Sequence, residues 1–461
     1  MRIDPTIDPK RAASGAARLF ESAGAKIPAL ARRLAGAAGA PVFTVEGKYT
    51  SRGWTEWTQG FQFGSALLCF EATGERKLLD LGRTATLERM AGHLTHVGVH
   101  DHGFNNLSTY GNLLRLMNRG KIEENAWERA FYELALKVSG AVQAGRWTEL
   151  PEGLGYIHSF NGPHSLFADT IRSLRSLAVS HRLGHVLMGE RDRPISLLGR
   201  ALRHAETTAR FIVFYGAGRD AYDERGRVAH EAIFNTTDGS FRCPSSQQGY
   251  SPFSTWTRGL AWILLGFAEQ LDFLRTISGD ELEPLGLAYA PDAATLRARY
   301  LEVASAAADF YIDRAAASDG IPYWDTGAPG LQRLGDWRGS PADPFNDEEP
   351  VDASAAAIAA QGLVRLGLAL GGDGGDRYLR AGLQVASVLL DEPYLSVDPR
   401  HEGLLLHSIY HRPNGWDHVP AGKIIPSGES SMWGDYHLLE LALLLKNLDA
   451  GKSMGFLEAV R

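Results

Sequence analysis

The chain has 461 residues, of which 44% are apolar and 22% charged, a composition typical of a folded globular protein. Its formal net charge of −7 comes without any block of lysines and arginines, which argues against nucleic acid or an anionic membrane as a partner. Only two cysteines are present, Cys69 and Cys243, so a disulfide framework and a multi-cysteine zinc site are both excluded.

The N-terminal segment predicts an amphipathic helix rather than a targeting signal. Apolar residues recur at helical spacing between Ala16 and Leu34, and charged residues interrupt every apolar run. No stretch of the chain approaches 18 consecutive apolar residues. We therefore expect no membrane span and a cytoplasmic location.

One unit recurs six times along the chain: a polar, aromatic or glycine-containing opening, followed by a helix rich in Leu and Ala. Most of these helices are followed by a second helix with one charged face, so the first is expected to be buried and the second half-exposed. This pattern predicts an all-α fold, an (α/α)6 barrel formed by residues 1–461 as a single domain, with the N-terminal helix completing the last pair. The openings begin at Trp54, His100, Phe167, Ser254, Val351 and Ser430.

Two of the longer connections predict short β-hairpins on one rim of the barrel. Residues 227–250 contain an Asp-Gly turn signal, residues 403–418 contain an Asn-Gly signal, and both signals are flanked by residues that favour strands.

Asp101 and Asp169 stand at the heads of the second and third predicted inner helices, which are neighbours in a barrel. Two carboxylates facing each other in a partly apolar cleft acquire different pKa values, so that one serves as an acid and the other stays ionised. Sugar chemistry uses such a pair. The alternative is that each aspartate only caps its helix.

The stretch His100, Asp101, His102 also raises the possibility of a metal site, since alternate side chains of an extended segment point the same way. No HExxH motif and no suitably spaced third histidine accompany it. We therefore favour a hydrogen-bonding role for His100 beside the carboxylate, with no metal and no cofactor.

The densest stretch places Trp256, Arg258 and Trp262 at the head of the fourth inner helix. An aromatic face stacks on a sugar ring, and a guanidinium offers a two-pronged contact to a carboxylate, so this set favours an acidic sugar. In the alternative interpretation the tryptophans belong to the core and Arg258 forms a structural ion pair with Asp352 or Asp435.

Six stretches together resemble glycoside hydrolase family 88, the unsaturated glucuronyl hydrolases, with the related family 105 second. The similarity extends from about Trp54 to Leu445, and the stretches occur in the family's order: "WTQGFQFG", "HDHGF", "FADTIRSLRSL", "QQGYSPFSTWTRGLAW", "VDASAAAIAAQGL" and "SSMWGDYHLLE". The resemblance implies an (α/α)6 barrel that uses neither metal nor cofactor. It also implies an acidic oligosaccharide substrate, produced by polysaccharide lyases and attacked at its non-reducing end. Separately, we expect the protein to be a monomer or homodimer.

The resemblance also implies the chemistry and the residues. Asp169 matches the family's general acid and base, which protonates the fourth ring carbon of an unsaturated uronic acid and activates the water that attacks the fifth. Asp101 would stabilise the developing cation and keep Asp169 protonated. The residues implied to hold the sugar, including Trp57 as a second stacking platform, are Trp57, His100, Gln248, Trp256, Arg258, Trp262, Ser430 and Ser431.

Several positions depart from the family pattern. Cys243 stands where a histidine is usual, His102 where an aliphatic residue is usual, and Leu260 where glutamine is common. These changes are expected to alter the cavity wall and leave two other functions open: a hydrolase or epimerase acting on a saturated acidic sugar, and a non-catalytic sugar-binding protein.

Overall fold

The computed structural model describes residues 1–7, 9–51, 57–452 and 454–460. The first predicted opening begins at Trp54, and its first three residues lie outside these ranges. The α-helices are α1 (Pro9–Arg33), α2 (Gln59–Thr73), α3 (Arg76–Arg89), α4 (Ala91–Leu94), α5 (His102–Asn106), α6 (Asn112–Asn118), α7 (Ala126–Gly145), α8 (Thr170–Ser173), α9 (Arg175–Arg182), α10 (Leu197–Phe211), α11 (Thr257–Leu274), α12 (Gly279–Leu282), α13 (Ala293–Phe310), α14 (Ala353–Leu370), α15 (Gly372–Leu389) and α16 (Met432–Asp449). The strands are β1 (Pro41–Val45), β2 (Lys48–Ser51), β3 (Trp147–Glu149), β4 (Gly155–Ile157), β5 (Ser165–Phe167), β6 (Leu187–Met188), β7 (Pro194–Ile195), β8 (Glu231–Phe234) and β9 (Phe241–Ser245).

Six helical segments form an inner ring: α2, α5–α6, α8–α9, α11, α14 and α16. Each contacts the next, and α16 closes the ring by contacting α2. The outer layer consists of α1, α3, α7, α10, α13 and α15, with α1 packed on α2 and α16 as the partner that completes the last pair. The predicted (α/α)6 barrel is confirmed.

The composition of the two layers explains their positions. Every residue of α14 from Ala353 to Gly367 is buried, whereas α15 and α10 each bury one face. Among the described helices, only α14 is long and apolar enough to cross a membrane, and most of that span is buried inside the barrel as a core helix.

One predicted hairpin is present and the other is not. Strands β8 and β9 pair antiparallel as predicted, and β5 pairs with β8 to complete a three-stranded sheet. Residues 403–418 contain a 3-10 turn, Arg412–Asn414, instead of a hairpin. Side chains satisfy the backbone there, because Asp417 accepts from the N–H groups of Tyr410 and His411, and Arg258 donates to the carbonyls of Ile409 and Tyr410.

A glycine brings the second and third inner segments into contact. A Cβ atom on Gly103 would lie only 2.1 Å from the carbonyl oxygen of Ser173 in α8, a separation that a side chain cannot occupy. The N–H of Gly103 also donates to Ser173 Oγ at 2.9 Å. This close approach fixes the distance between the segments that carry Asp101 and Asp169.

Candidate active site

The amino-terminal ends of α2, α5, α8 and α11, together with residues 410–416, surround a cavity of about 500 Å³. Eight of the ten residues predicted from the sequence line it: Trp57, His100, Asp101, Asp169, Gln248, Trp256, Arg258 and Trp262. The barrel thus gathers into one hollow side chains that are separated by up to two hundred positions along the chain.

His100 lies between the two carboxylates. Its Nε2 atom is 3.1 Å from Asp169 Oδ1 and 3.8 Å from Asp101 Oδ1, and all three side chains are largely buried. The carbonyl of His100 accepts from Gln143 Nε2 and Ser173 Oγ, which ties this segment to α7 and α8. The predicted hydrogen-bonding role of His100 is therefore present in the structure.

The capping interpretation does not account for the two aspartates. Asp101 and Asp169 occupy N-cap positions of α5 and α8, yet neither carboxylate bonds to its helix. Asp352, by contrast, accepts from the N–H groups of Ser354 and Ala355 and is a true cap. The carboxylates of Asp101 and Asp169 thus remain available to the cavity.

The three groups shift one another's proton affinity. Burial raises the pKa of Asp101, and the neighbouring His100 only partly opposes it. Burial would also raise the pKa of Asp169, but the hydrogen bond and charge of His100 outweigh it and lower that pKa below its usual value. Burial would lower the pKa of His100, but the two carboxylates raise it above its usual value.

These directions differ from the expectation that Asp101 keeps Asp169 protonated. The proton is favoured on His100, at the hydrogen bond to Asp169, and the charge of Asp101 stabilises it there. Because the three groups interact strongly, Asp101, His100 and Asp169 titrate together, and the proton cannot be assigned to one of them alone.

Arg258 is held by the protein rather than free for a ligand. Its guanidinium donates to Asp352 Oδ2 at 2.9 Å, to Gln248 Oε1 at 2.8 Å, and to two backbone carbonyls. It also lies against the rings of Trp256 and Trp433, at 4.5 and 4.9 Å from their centroids. Four of its five N–H groups are thus engaged, so the predicted two-pronged contact to a ligand carboxylate is wrong for this arrangement and the ion pair with Asp352 is present.

Known proteins resemble the chain along most of its length. No family model matches it. A Bacillus unsaturated glucuronyl hydrolase is 25% identical over 414 residues, covering 87% of this chain and 88% of that protein. One from Formosa agariphila is 27% identical over 249 residues, or 54% of this chain, so the chain matches about half the length of that relative.

Solved structures agree in fold. The crystal structure of the unsaturated glucuronyl hydrolase from Bacillus sp. GL1 superposes with a TM-score of 0.68 at 22% identity, covering 95% of this chain and 98% of that one. A mutant of the Streptococcus agalactiae enzyme complexed with dGlcA-GalNAc6S gives 0.62 at 18% identity, covering 96% and 97%. The chain is thus similar to unsaturated glucuronyl hydrolases in sequence and in fold. The resemblance inferred from the sequence motifs is confirmed.

Two residues implied by the resemblance to unsaturated glucuronyl hydrolases lie away from the cavity. Ser431 caps α16 by accepting from the N–H of Gly434, and Ser430 is buried beside Thr44 and Gly403. Neither lines the cavity. Both residues lie at the amino-terminal end of α16. Ser431 caps the helix and Ser430 is packed in the core, so neither side chain reaches the cavity as the resemblance implied.

Two departures from the unsaturated glucuronyl hydrolase pattern also fall outside the cavity. Cys243 is exposed on β9, so it does not change the cavity wall. His102 points away from His100, toward Ser139 Oγ and the carbonyl of His96. Within the described ranges, no group of three or more His, Cys, Asp and Glu side chains is arranged to hold a metal ion.

Sequence reasoning missed several cavity residues. His230 is buried between the rings of Phe167 and Trp256, its Nδ1 accepts from the N–H of Gln247, and its Nε2 has no partner among the described residues. Burial lowers its pKa to about 4, so the ring is neutral. His230 lies behind the cavity wall and does not line it. Most of the missed residues that do line the cavity lie between the α-helices, where no helical repeat signals them: Val99, Phe104, Phe160, Phe167, Gln247, Tyr410, His411, Asn414 and Trp416.

Proposed function

We propose that this protein is an unsaturated glycuronyl hydrolase that hydrates the enol-ether double bond of a 4,5-unsaturated uronic acid at the non-reducing end of an oligosaccharide. The observation that carries the proposal is the buried set inside an aromatic-walled cavity in which His100 is hydrogen-bonded to Asp169 and lies within ion-pair distance of Asp101. A relative crystallised with dGlcA-GalNAc6S supports an acidic oligosaccharide as the substrate class.

The cavity walls suit a planar, charged sugar ring. Trp57 and Trp256 present aromatic surface, and the buried guanidinium of Arg258 supplies a positive charge although most of its N–H groups are engaged. Direct hydrogen bonds to the sugar then come from other lining side chains, such as the carboxamide of Gln247, rather than from the Arg258 fork.

The first chemical step is protonation of carbon. The proton shared by His100 and Asp169 moves onto the Asp169 carboxyl, because the carboxylate of the incoming uronate and the exclusion of water both raise the pKa of Asp169. Asp169 then donates this proton to C4, and an oxocarbenium ion forms between C5 and the ring oxygen. The ionised Asp101 stabilises that positive charge.

The second step adds water. The Asp169 carboxylate removes a proton from a water molecule as its oxygen bonds to C5, and Asp169 is thereby protonated again. The resulting hemiketal opens, the glycosidic oxygen leaves with a proton, and the neighbouring sugar is released. One water is consumed, and no metal or redox partner enters the balance.

The test is a comparison of substrates and variants. A 4,5-unsaturated disaccharide should lose its ultraviolet absorbance with wild-type protein. Asp169→Asn should lower kcat by at least about 10²-fold, because a positioned acid–base group typically contributes that much. Asp373→Asn, which changes an exposed aspartate on α15, is the matched control and should leave the rate unchanged.

The alternatives give different results in the same assay. Turnover of a saturated glucuronide with no absorbance change would favour a hydrolase or epimerase on saturated sugars and overturn the proposal. Binding of the disaccharide without any turnover, unaffected by Asp169→Asn, would favour a non-catalytic sugar-binding protein.

A further inference from the structure

A pair of exposed aromatic rings lies outside the cavity, on two neighbouring loops. Tyr222 and Phe253 are 61% and 44% exposed, and their ring centroids are 5.2 Å apart at an interplanar angle of 33°. Tyr250, in the same loop as Phe253, is 52% exposed. Single exposed apolar side chains are ordinary, but a stacked pair of large aromatic side chains, with a third exposed ring nearby in sequence, is a candidate binding surface.

The chain itself places these rings near the cavity. Gln248 and Trp256 both line the cavity, and Phe253 lies on the short loop that connects them. Only Ser254 and Thr255 separate Phe253 from Trp256, which limits the distance between the Cα atoms of Phe253 and Trp256 to about 10 Å. An oligosaccharide whose terminal sugar occupies the cavity is long enough for its outer units to extend over that distance.

The two loops are clamped together beneath the rings. Arg227 is 3% exposed, and its guanidinium donates to Asp220 Oδ2 at 2.5 Å in the loop of Tyr222 and to the carbonyl of Pro252 at 3.4 Å in the loop of Phe253. The N–H of Tyr250 donates to the buried Asp325 carboxylate at 2.8 Å. The ring pair is thus ordered before a ligand arrives, which reduces the entropy lost on binding.

The charged side chains beside Tyr222 are already engaged by other groups of the protein. Asp220 pairs with Arg227, Asp223 accepts from the N–H groups of residues 216, 217 and 219, and Glu224 pairs with Arg314. The surface therefore offers aromatic faces without a free counter-charge for a carboxylate. Its chemistry fits the C–H face of an uncharged sugar.

We propose that Tyr222 and Phe253 form an outer platform that binds uncharged sugar units of the oligosaccharide beyond the unit released by cleavage. This inference rests on the proposed function, because the direction of the substrate follows from placing the unsaturated uronate in the cavity. With such a platform, the protein should prefer oligosaccharides longer than a disaccharide.

The test compares an unsaturated disaccharide with an unsaturated hexasaccharide from the same lyase digest. Phe253→Ala and Tyr222→Ala should each lower kcat/KM for the hexasaccharide about 5-fold through a higher KM, the effect expected of one lost ring contact, and leave the disaccharide unchanged. Phe253→Trp keeps an aromatic face and should restore hexasaccharide turnover. Trp127→Ala, at an 87% exposed tryptophan on the outer helix α7, is the matched control and should change neither rate.

The outcomes separate this inference from the proposed function. Equal losses on both substrates, or no loss on either, would overturn the platform while leaving the activity intact. If wild-type protein turns over neither substrate, the proposed function fails. Calorimetric titration of a saturated hexasaccharide into wild-type protein and Phe253→Ala then tests the platform alone, and equal affinities would overturn it. Circular dichroism confirms that each variant is folded.

Discussion

The contact between Gly103 and α8 gives the most demanding prediction. In Gly103→Ala, the added methyl group would start 2.1 Å from the carbonyl oxygen of Ser173 and 2.6 Å from two further backbone atoms, whereas real Cβ contacts essentially never fall below 3.0 Å. The two backbones must therefore separate by about 1 Å, since packed interiors offer no free space. That shift moves the segment of Asp101 and His100 relative to Asp169.

The expected cost has two parts. Overpacking a core site typically destabilises a protein by about 1–3 kcal/mol, which should appear as a lower midpoint of thermal or urea unfolding. Misplacing catalytic groups by about 1 Å lowers the rate about 10²-fold. We expect kcat/KM for the unsaturated disaccharide to fall by that factor even at temperatures where the variant is fully folded.

The matched control is Gly145→Ala, at the last residue of α7, where an added methyl group would meet nothing within 4 Å. This variant should keep both its stability and its activity. A Gly103→Ala protein with wild-type kcat/KM would refute the argument that this contact sets the geometry of the site.

Three further predictions concern proton affinity and the buried arginine. In His100→Asn the alkaline limb of the pH profile of kcat/KM should move to lower pH. In the wild-type protein the shared proton rests on an imidazole whose pKa is raised, whereas in the variant it must rest on a carboxyl group. An alkaline limb at the wild-type pH would contradict this. Burial raises the pKa of Asp435 to about 6, so its contribution to stability is present below about pH 4 and lost as pH rises through 6. Unfolding titrations should therefore show wild-type protein losing about 3 kcal/mol over that range relative to Asp435→Asn, and parallel curves would exclude the effect. Arg258→Lys keeps the charge but not the four contacts, and should lower the free energy of unfolding by about 2 kcal/mol; unchanged unfolding would show that those contacts contribute little.

The barrel and the positions of Asp101 and Asp169 could be predicted because both follow from a helical repeat. Once helices pair in sequence order, the heads of neighbouring inner helices meet at one end, whatever the loops do. The repeat therefore predicts that Asp101 and Asp169 lie close together in space, although about seventy positions separate them in the sequence.

The hydrogen-bond partners of the Arg258 guanidinium could not be predicted from the residues near it in sequence. Its partners include Asp352 and the carbonyls of Ile409 and Tyr410, which are about 90 and 150 positions away. The same long-range bonds explain why residues 403–418 form no hairpin despite their turn signal. Turn propensity is local, and here a buried guanidinium and Asp417 take the backbone groups that a partner strand would need.

Ser430 and Ser431 show the reverse error. A serine before an apolar helix is an ordinary cap by local rules, and the structure uses Ser431 in that way. At Asp101 and Asp169 the same local rule predicts capping that the structure does not show. Only the three-dimensional arrangement separates a capping side chain from one directed into the cavity.

The ring of inner helices closes where α16, near the end of the chain, meets α2, near its beginning. Joining segments so distant in sequence carries a large entropic cost and belongs to the slow class of folding events. Until α16 has been synthesised and has packed on α2, the ring lacks this seam, although both proposed acidic residues lie far upstream of α16. Competence for turnover is thus expected to appear late in folding, when the two distant segments join.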